Sequence, residues 1–239
     1  MDTQDPFAAP IPAPTAARPL LGLTVLVIED SRYACEAMRL LCLRSGARIR
    51  RADCLRSARR HLQVYRPSVV IIDLGLPDGN GIDLITELTQ AQPRVGVVLA
   101  TSGDSHRRGD ALAAGADGFL EKPITSLAAF QQLVLAALPA ERQPEGPRVL
   151  SDEQICPDPL AFQDDMSHIA DVLEDPPNEH ALDYVAQFLS GLARSASDER
   201  LEQAALALAE KRALGQSAAS ETAVLAGIVQ QRLTQKLAI

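Results

Sequence analysis

The chain has 239 residues, of which 46% are hydrophobic, 23% are charged and only 3% are aromatic. This length accommodates one or two globular domains, and the scarcity of aromatic residues predicts cores built from aliphatic side chains. The charge is unevenly placed, since residues 1–150 carry 17 Lys and Arg against 16 Asp and Glu, whereas residues 151–239 carry 6 against 15. Because nucleic-acid binding needs a basic surface, the acidic second part is an unfavourable candidate for that function.

Targeting and redox features favour a cytoplasmic protein. The N-terminus begins with acidic rather than basic residues, which argues against a signal peptide. No apolar run approaches the roughly 20 residues that are needed to cross a bilayer. The four cysteines show no metal-ligand spacing and are expected to be reduced. We therefore expect a cytoplasmic location and no membrane partner.

Residues 1–20 are rich in alanine and proline, which predicts a disordered arm. From residue 21 to residue 138, strand patterns alternate with helical patterns across short turns. This alternation predicts an α/β domain with a doubly wound parallel sheet. The predicted strands cover residues 23–28, 47–52, 69–73, 95–100 and 118–121.

Chemically reactive side chains stand where four of these predicted strands end. They are, in chain order, Glu29, Asp30, Asp73, Thr101 and Lys122. Because the carboxyl ends of parallel strands share one edge of the sheet, we expect these side chains to lie close together. Three adjacent carboxylates favour Mg²⁺, and an aspartate in such a site can act as a nucleophile towards a phosphoryl group. The sequence therefore predicts phosphoryl transfer to Asp73, with Lys122 as counter-charge.

Four segments in this order resemble the receiver domain of two-component response regulators. They are LTVLVIEDS, SVVIIDLGLPDGNG, VVLATSGD and GADGFLEKPI, all within residues 23–138. The resemblance implies a flavodoxin-like (βα)5 fold and a phosphoryl group that reaches Asp73 from a sensor histidine kinase or a histidine phosphotransfer protein. It also implies a phosphoacceptor that supports its own phosphorylation and dephosphorylation, without a separate catalytic domain.

The same resemblance implies a role for each site residue. It assigns the Mg²⁺ site to Glu29, Asp30, Asp73 and Gly75. It assigns phosphoryl binding and switching to Thr101, Ser102, Phe119 and Lys122. Ser102 stands where the family usually has alanine, and Phe119 has no hydroxyl, so that its inward movement would depend on packing alone.

A stretch between residues 44 and 66 is rich in arginine. We expect it to form a solvated face of the second strand and helix. The alternatives are a docking surface for an acidic partner, such as the acidic C-terminal domain, and a nucleotide site. Its members are Arg44, Arg48, Arg50, Arg51, Arg56, Arg59, Arg60 and Arg66.

A proline-rich linker is predicted over residues 139–159, followed by an acidic helical domain over residues 160–239. Apolar residues recur there at helical spacing in four segments, which predicts a small all-α bundle. Breaks are expected at residues 175–178, 195–197 and 215–217. We favour a protein-interaction or dimerisation output that phosphorylation exposes or hides, with another protein or a second copy of the chain as partner.

Other outputs stay open. A divergent DNA-binding domain would make the protein a transcriptional regulator, but its candidate second helix at residues 217–231 has no Lys or Arg. A histidine phosphotransfer bundle would use His168 or His180, yet neither precedes the Lys-Gly pattern of such domains. With no output at all, the protein would serve as a phosphate sink.

Overall fold

The computed structural model describes residues 13–174 and 179–235. Three predicted features lie wholly or partly outside these ranges: residues 1–12 of the arm, the break at residues 175–178 and the C-terminal residues 236–239. Leu20, the last residue of the predicted arm, is fully buried, and its amide donates a hydrogen bond to the Ser45 carbonyl. The first domain therefore includes this leucine, which belongs to one of its two cores.

The first domain alternates strands and helices as predicted. In chain order its elements are β1 (Thr24–Ile28), α1 (Arg32–Ser45), β2 (Arg48–Ala52), α2 (Leu55–Val64), β3 (Val69–Asp73), β4 (Gly75–Leu76), β5 (Gly79–Asn80), α3 (Gly81–Gln90), β6 (Val97–Ser102), α4 (Arg108–Ala113), β7 (Gly118–Glu121) and α5 (Leu127–Ala137). A 3₁₀ turn at Ser105–Arg107 precedes α4. The antiparallel hairpin of β4 and β5 was not predicted, because two-residue strands leave no periodic pattern.

Five strands form a parallel sheet in the order β2-β1-β3-β6-β7. Strand β3 is central, and all of its residues are buried, as expected for a continuous apolar run. Ile71 belongs to the aliphatic core on one face of the sheet and Ile72 to the core on the other. The predicted flavodoxin-like, doubly wound α/β fold is confirmed.

Local sequence signals set the helix ends next to the sheet edge. Ser31 caps α1 by accepting a hydrogen bond from the Ala34 amide at 3.0 Å. Gly46 ends the same helix with a φ of 86°, a left-handed conformation that favours glycine. Asn80 caps α3 through the Ile82 amide at 3.1 Å. These caps fix where the loops after β1 and β3 turn.

The second domain is a helical bundle, as predicted. It comprises α6 (Pro159–Glu174), α7 (Glu179–Ser195), α8 (Glu199–Ala213) and α9 (Ala219–Thr234). Buried aliphatic residues from these helices form a core separate from the two cores of the sheet. Within residues 13–174 and 179–235, no helix combines the length and the apolar character that a membrane span requires.

Part of the predicted linker over residues 139–159 is attached to the first domain. Ile155 is buried in one core of the sheet, and its amide donates to the Thr125 carbonyl at 2.8 Å. The Glu153 carbonyl accepts from the Leu127 amide, and its carboxylate lies 2.9 Å from Arg44. Residues 156–158 alone therefore separate this attachment from the start of α6.

Candidate functional site

The strand ends bring the three predicted carboxylates together. Asp73 is the last residue of β3, and Glu29 and Asp30 follow β1, its neighbour in the sheet. One oxygen from each carboxylate lies within 4.8 Å of the others. Glu29 is 2% exposed and Asp73 is 7% exposed, so water screens their charges poorly.

Lys122, which follows β7, supplies a positive charge to this cluster. Its Nζ lies 2.6 Å from Glu29 Oε2 and 3.3 Å from Asp73 Oδ2. Burial alone would lower the pKa of Lys122, but the carboxylates of Asp73 and Glu29 raise it by more, so the ammonium form is retained. One ammonium group beside three carboxylates leaves an excess of negative charge in a buried site.

Burial and the neighbouring carboxylates raise the pKa values of two carboxyl groups. Burial, together with Asp73 and Asp30, raises the pKa of Glu29 to about 8 against the opposing effect of Lys122. Burial and Asp73 raise the pKa of Asp30 to about 7, although Lys122 and a hydrogen bond from Tyr184 oppose this. A hard divalent cation would relieve this repulsion, and carboxylate oxygens are the ligands that Mg²⁺ prefers, so these residues fit Mg²⁺.

Thr101 provides a hydroxyl next to the candidate nucleophile. It is the register partner of Asp73 between β3 and β6. Its side chain is fully buried, and its Oγ1 has no hydrogen-bond partner among the described residues. Because such a hydroxyl is costly to bury, a phosphoryl oxygen on Asp73 would satisfy a donor that the protein leaves unused.

Six of the predicted site residues surround one cleft of about 780 Å³. They are Glu29, Asp30, Asp73, Gly75, Ser102 and Lys122. Ser102 Oγ accepts a hydrogen bond from the Asp104 amide at 3.1 Å, which holds this hydroxyl in the loop after β6. Phe119 is the register partner of Ala100 and packs in one core of the sheet, so its switch role stays a prediction.

Two residues of α7 contact this site, and nothing in the sequence indicated these contacts. The Tyr184 hydroxyl donates a hydrogen bond to Asp30 Oδ2 at 2.8 Å. Gln187 lies against Gly75, because a Cβ added to the glycine would overlap the glutamine amide. Their spacing in the sequence is that of any amphipathic helix, and no local pattern distinguishes them.

The arginine-rich stretch between residues 44 and 66 makes its ion pairs away from the helical bundle. Arg59 pairs with Glu87 at 3.1 Å, and Arg44 pairs with Glu153 of the attached linker. Among the described residues, no ion pair joins this stretch to α6, α7, α8 or α9. The expected solvated face fits these contacts better than docking onto the acidic domain.

We expect the affinity of the chain for Mg²⁺ to rise as the pH increases from 6 to 8. At pH 6 the raised pKa values of Glu29 and Asp30 keep both groups largely protonated, and these protons must leave when the cation binds. Calorimetric titration with Mg²⁺ in buffers of different ionisation enthalpy would measure both the affinity and the proton release. An affinity that is flat over this range would contradict the expected role of the two carboxyl groups.

Comparison with known proteins agrees with this geometry. Residues 25–134 match the family described as response regulator receiver domain. The KDP operon transcriptional regulatory protein KdpE of Escherichia coli (strain K12) is 34% identical over 99 residues, which cover 41% of this chain and 44% of that protein. The transcriptional regulatory protein KdpE of Mycobacterium tuberculosis (strain CDC 1551 / Oshkosh) is 37% identical over 99 residues, with coverage of 41% and 44%.

Among solved structures, the chemotaxis response regulator CheY4 of Vibrio cholerae is 22% identical, with a TM-score of 0.44. That match covers 48% of this chain and 98% of the other. The chain spans less than half the length of the curated relatives described above, since the matched part is 44% of each. Within these limits, residues 25–134 of this chain are similar to response regulator receiver domains.

Proposed function

We propose that this protein is a two-component response regulator that accepts a phosphoryl group on Asp73. The donor would be a sensor histidine kinase or a histidine phosphotransfer protein, and Mg²⁺ would be the cofactor. The observation that carries the proposal is the position of Asp73 at the end of β3. There it lies beside two further carboxylates and 3.3 Å from the Lys122 ammonium. It also lies opposite the Thr101 hydroxyl, for which the described part of the chain offers no hydrogen-bond partner.

The transfer would need little from the protein beyond position and charge. A carboxylate oxygen of Asp73 attacks the phosphorus, so that a phosphorus–oxygen bond forms while the phosphorus–nitrogen bond to the donor histidine breaks. Lys122 would neutralise charge on the phosphoryl oxygens, and Thr101 would donate a hydrogen bond to one of them. Mg²⁺, when bound, supplies further neutralisation. No separate catalytic domain is required.

Asp73→Asn is expected to abolish phosphoryl transfer, because an amide cannot act as the nucleophile. The full chain would be incubated with acetyl phosphate and Mg²⁺, and the mass of the intact protein would be followed. Asp110→Asn is the matched control, since it removes an exposed carboxylate on α4. Labelling of Asp73→Asn at the wild-type rate would refute Asp73 as the acceptor.

For the output, we propose that the helical domain is a protein-interaction or dimerisation module. The net charge of this domain supports a protein partner over DNA, because DNA binding needs a basic surface. Residues 151–239 carry 15 Asp and Glu against 6 Lys and Arg. The relatives named above are transcriptional regulatory proteins, which favours a DNA-binding output as the second candidate. Their matched region is 41% of this chain, however, and it leaves most of the sequence unmatched.

Two measurements on the full chain, with Asp73 loaded by beryllofluoride and Mg²⁺, separate these outputs. A protein-interaction output predicts a change in mass or shape on treatment with beryllofluoride and Mg²⁺, and no shift of DNA in a gel. A salt-sensitive DNA shift would favour the transcriptional alternative. No change in either measurement would favour the phosphate sink.

A further inference from the structure

The hairpin of β4 and β5 carries one of the positions that the resemblance assigns to Mg²⁺. Gly75 is the first residue of β4, two residues after Asp73, and it lines the cleft that contains the three carboxylates. A glycine has no side chain, so the only metal ligand that it can offer is its main-chain carbonyl oxygen. Metal binding at Gly75 therefore depends on where the backbone of the hairpin lies.

The turn of this hairpin is bonded to the start of α2. Asp78 lies between β4 and β5, and its carboxylate accepts hydrogen bonds from the Leu55 amide at 2.8 Å and the Arg56 amide at 2.9 Å. Both amides belong to the first turn of α2, where amides have no partner within the helix. The negative charge of Asp78 is also favourable beside the positive end of the helix dipole. One side chain thus joins the hairpin to a helix that precedes it in the chain.

Helix α2 has little of its own with which to satisfy these amides. Its first turn contains no acidic residue. Its local cap is the Cys54 thiol, a weak acceptor whose Sγ lies 3.4 Å from the Ser57 nitrogen. Asp78 therefore supplies the charged acceptor that the sequence of α2 lacks.

Apolar packing brings the same two elements into close contact. Gly79 follows the turn, and a Cβ added there would lie 2.9 Å from Leu55 Cδ1. Leu76 and Leu55 are both buried and belong to the same aliphatic core. Because Gly75 lies only three residues before Asp78, a displacement of the turn is passed along β4 to the Gly75 carbonyl.

The 3₁₀ turn before α4 also holds the hairpin, through Arg107. The guanidinium of this residue donates to the Leu74 carbonyl at 3.3 Å and to Asn80 Oδ1 at 3.0 Å. Both bonds are longer than those of Asp78, and each charged group here bonds to neutral partners. We therefore expect the two shorter bonds of Asp78 to carry the larger share in fixing the hairpin.

We propose that Asp78 is a positioning residue for Mg²⁺: by fixing the hairpin on α2, it sets the place of the Gly75 carbonyl without being a ligand itself. This rests on the proposed function, since it concerns the same metal site. Asp78 is not a member of the carboxylate cluster and does not line the cleft that contains Asp73. Mg²⁺ requires nearly ideal octahedral geometry, whereas Ca²⁺ tolerates several arrangements. A displaced carbonyl should therefore weaken the binding of Mg²⁺ more than that of Ca²⁺.

The test titrates Mg²⁺ and Ca²⁺ separately into full-length variants by calorimetry, without a phosphoryl donor. Asp78→Ala is expected to bind Mg²⁺ about tenfold more weakly than wild type, as is usual when the support of a metal ligand is removed. Its affinity for Ca²⁺ should fall at most about threefold. Cys54→Ala is the matched control, because it removes the other side-chain cap of α2 and leaves the Asp78 bonds in place. It is expected to bind both ions like wild type.

The ratio of the two affinities separates positioning from a general loss of structure. Circular dichroism would establish that each variant is folded. Asp78→Asn keeps one acceptor oxygen, so it should show a smaller loss of Mg²⁺ affinity, and it replaces Asp78→Ala if that variant does not fold. Equal losses for Mg²⁺ and Ca²⁺, or an unchanged Mg²⁺ affinity in a folded variant, would overturn the positioning role. A wild-type chain that does not bind Mg²⁺ would instead refute the metal site of the proposed function.

Discussion

Lys122→Met is expected to lower the free energy of unfolding by about 3 kcal/mol at pH 8, in the absence of Mg²⁺. The substitution preserves most of the side-chain volume but leaves Glu29, Asp30 and Asp73 without the ammonium group that they surround. Denaturant unfolding followed by circular dichroism would measure the change. The loss follows from the burial of the cluster, since exposed ion pairs contribute far less.

The same variant should show a smaller loss at pH 6. Glu29 and Asp30 have raised pKa values in the folded state, so the folded chain binds protons that the unfolded chain releases. The free energy of unfolding of the wild-type chain therefore decreases as the pH rises from about 5 to about 8. The stabilising contribution of Lys122 is largest when Glu29 and Asp30 are both ionised. Lys211→Met is the control, because Lys211 bonds to Gln216 on an exposed surface. Equal losses for the two lysines would contradict this explanation.

Gly81→Ala is expected to lower the free energy of unfolding by about 2 to 3 kcal/mol, because no space exists for a methyl group there. A Cβ at this first residue of α3 would overlap the carbonyl oxygen of Asp73 and lie 3.0 Å from Ile72 Cγ2. The overlap is with backbone, which cannot rotate away. Displacing the end of β3 should also slow labelling of Asp73 by acetyl phosphate.

Gly109→Ala provides the matched comparison in α4. An added Cβ at Gly109 meets nothing within 4 Å, so this substitution should leave stability unchanged or raise it by about 0.5 kcal/mol. Equal effects of the two substitutions would show that helix propensity, rather than the close approach to Asp73, decides the outcome at Gly81.

The convergence of these side chains at the sheet edge was largely predictable from the sequence, and the reason is geometric. The ends of parallel strands meet at one edge, so a carboxylate after β1, Asp73 in β3, Thr101 in β6 and Lys122 after β7 had to converge once the strands were assigned. Each strand was marked by a short apolar run. Strand β6 ends two residues later than the predicted strand, because the polar residues Thr101 and Ser102 continue its pairing with β7.

The contacts of α7 and α6 with the receiver domain were not predictable in this way. Tyr184 and Asp30 are 154 positions apart, and Ser31 and Asp165 are 134 positions apart. No local pattern encodes such pairs, since they depend on how two finished domains pack. The net acidity of the second half argued against nucleic acid, yet it gave no sign that one carboxylate, Asp165, completes the start of α1.

The attachment of Ile155 to the sheet domain has a kinetic consequence. Because the chain is held at Ile155 and α6 begins at Pro159, an undocked bundle would pivot on a tether of about 10 Å. So short a tether keeps the local concentration of α7 near its binding face in about the millimolar range. A protein that binds the face of the first domain beneath α7 must compete with α7 at this local concentration. Return to the docked form should accordingly be fast and independent of protein concentration.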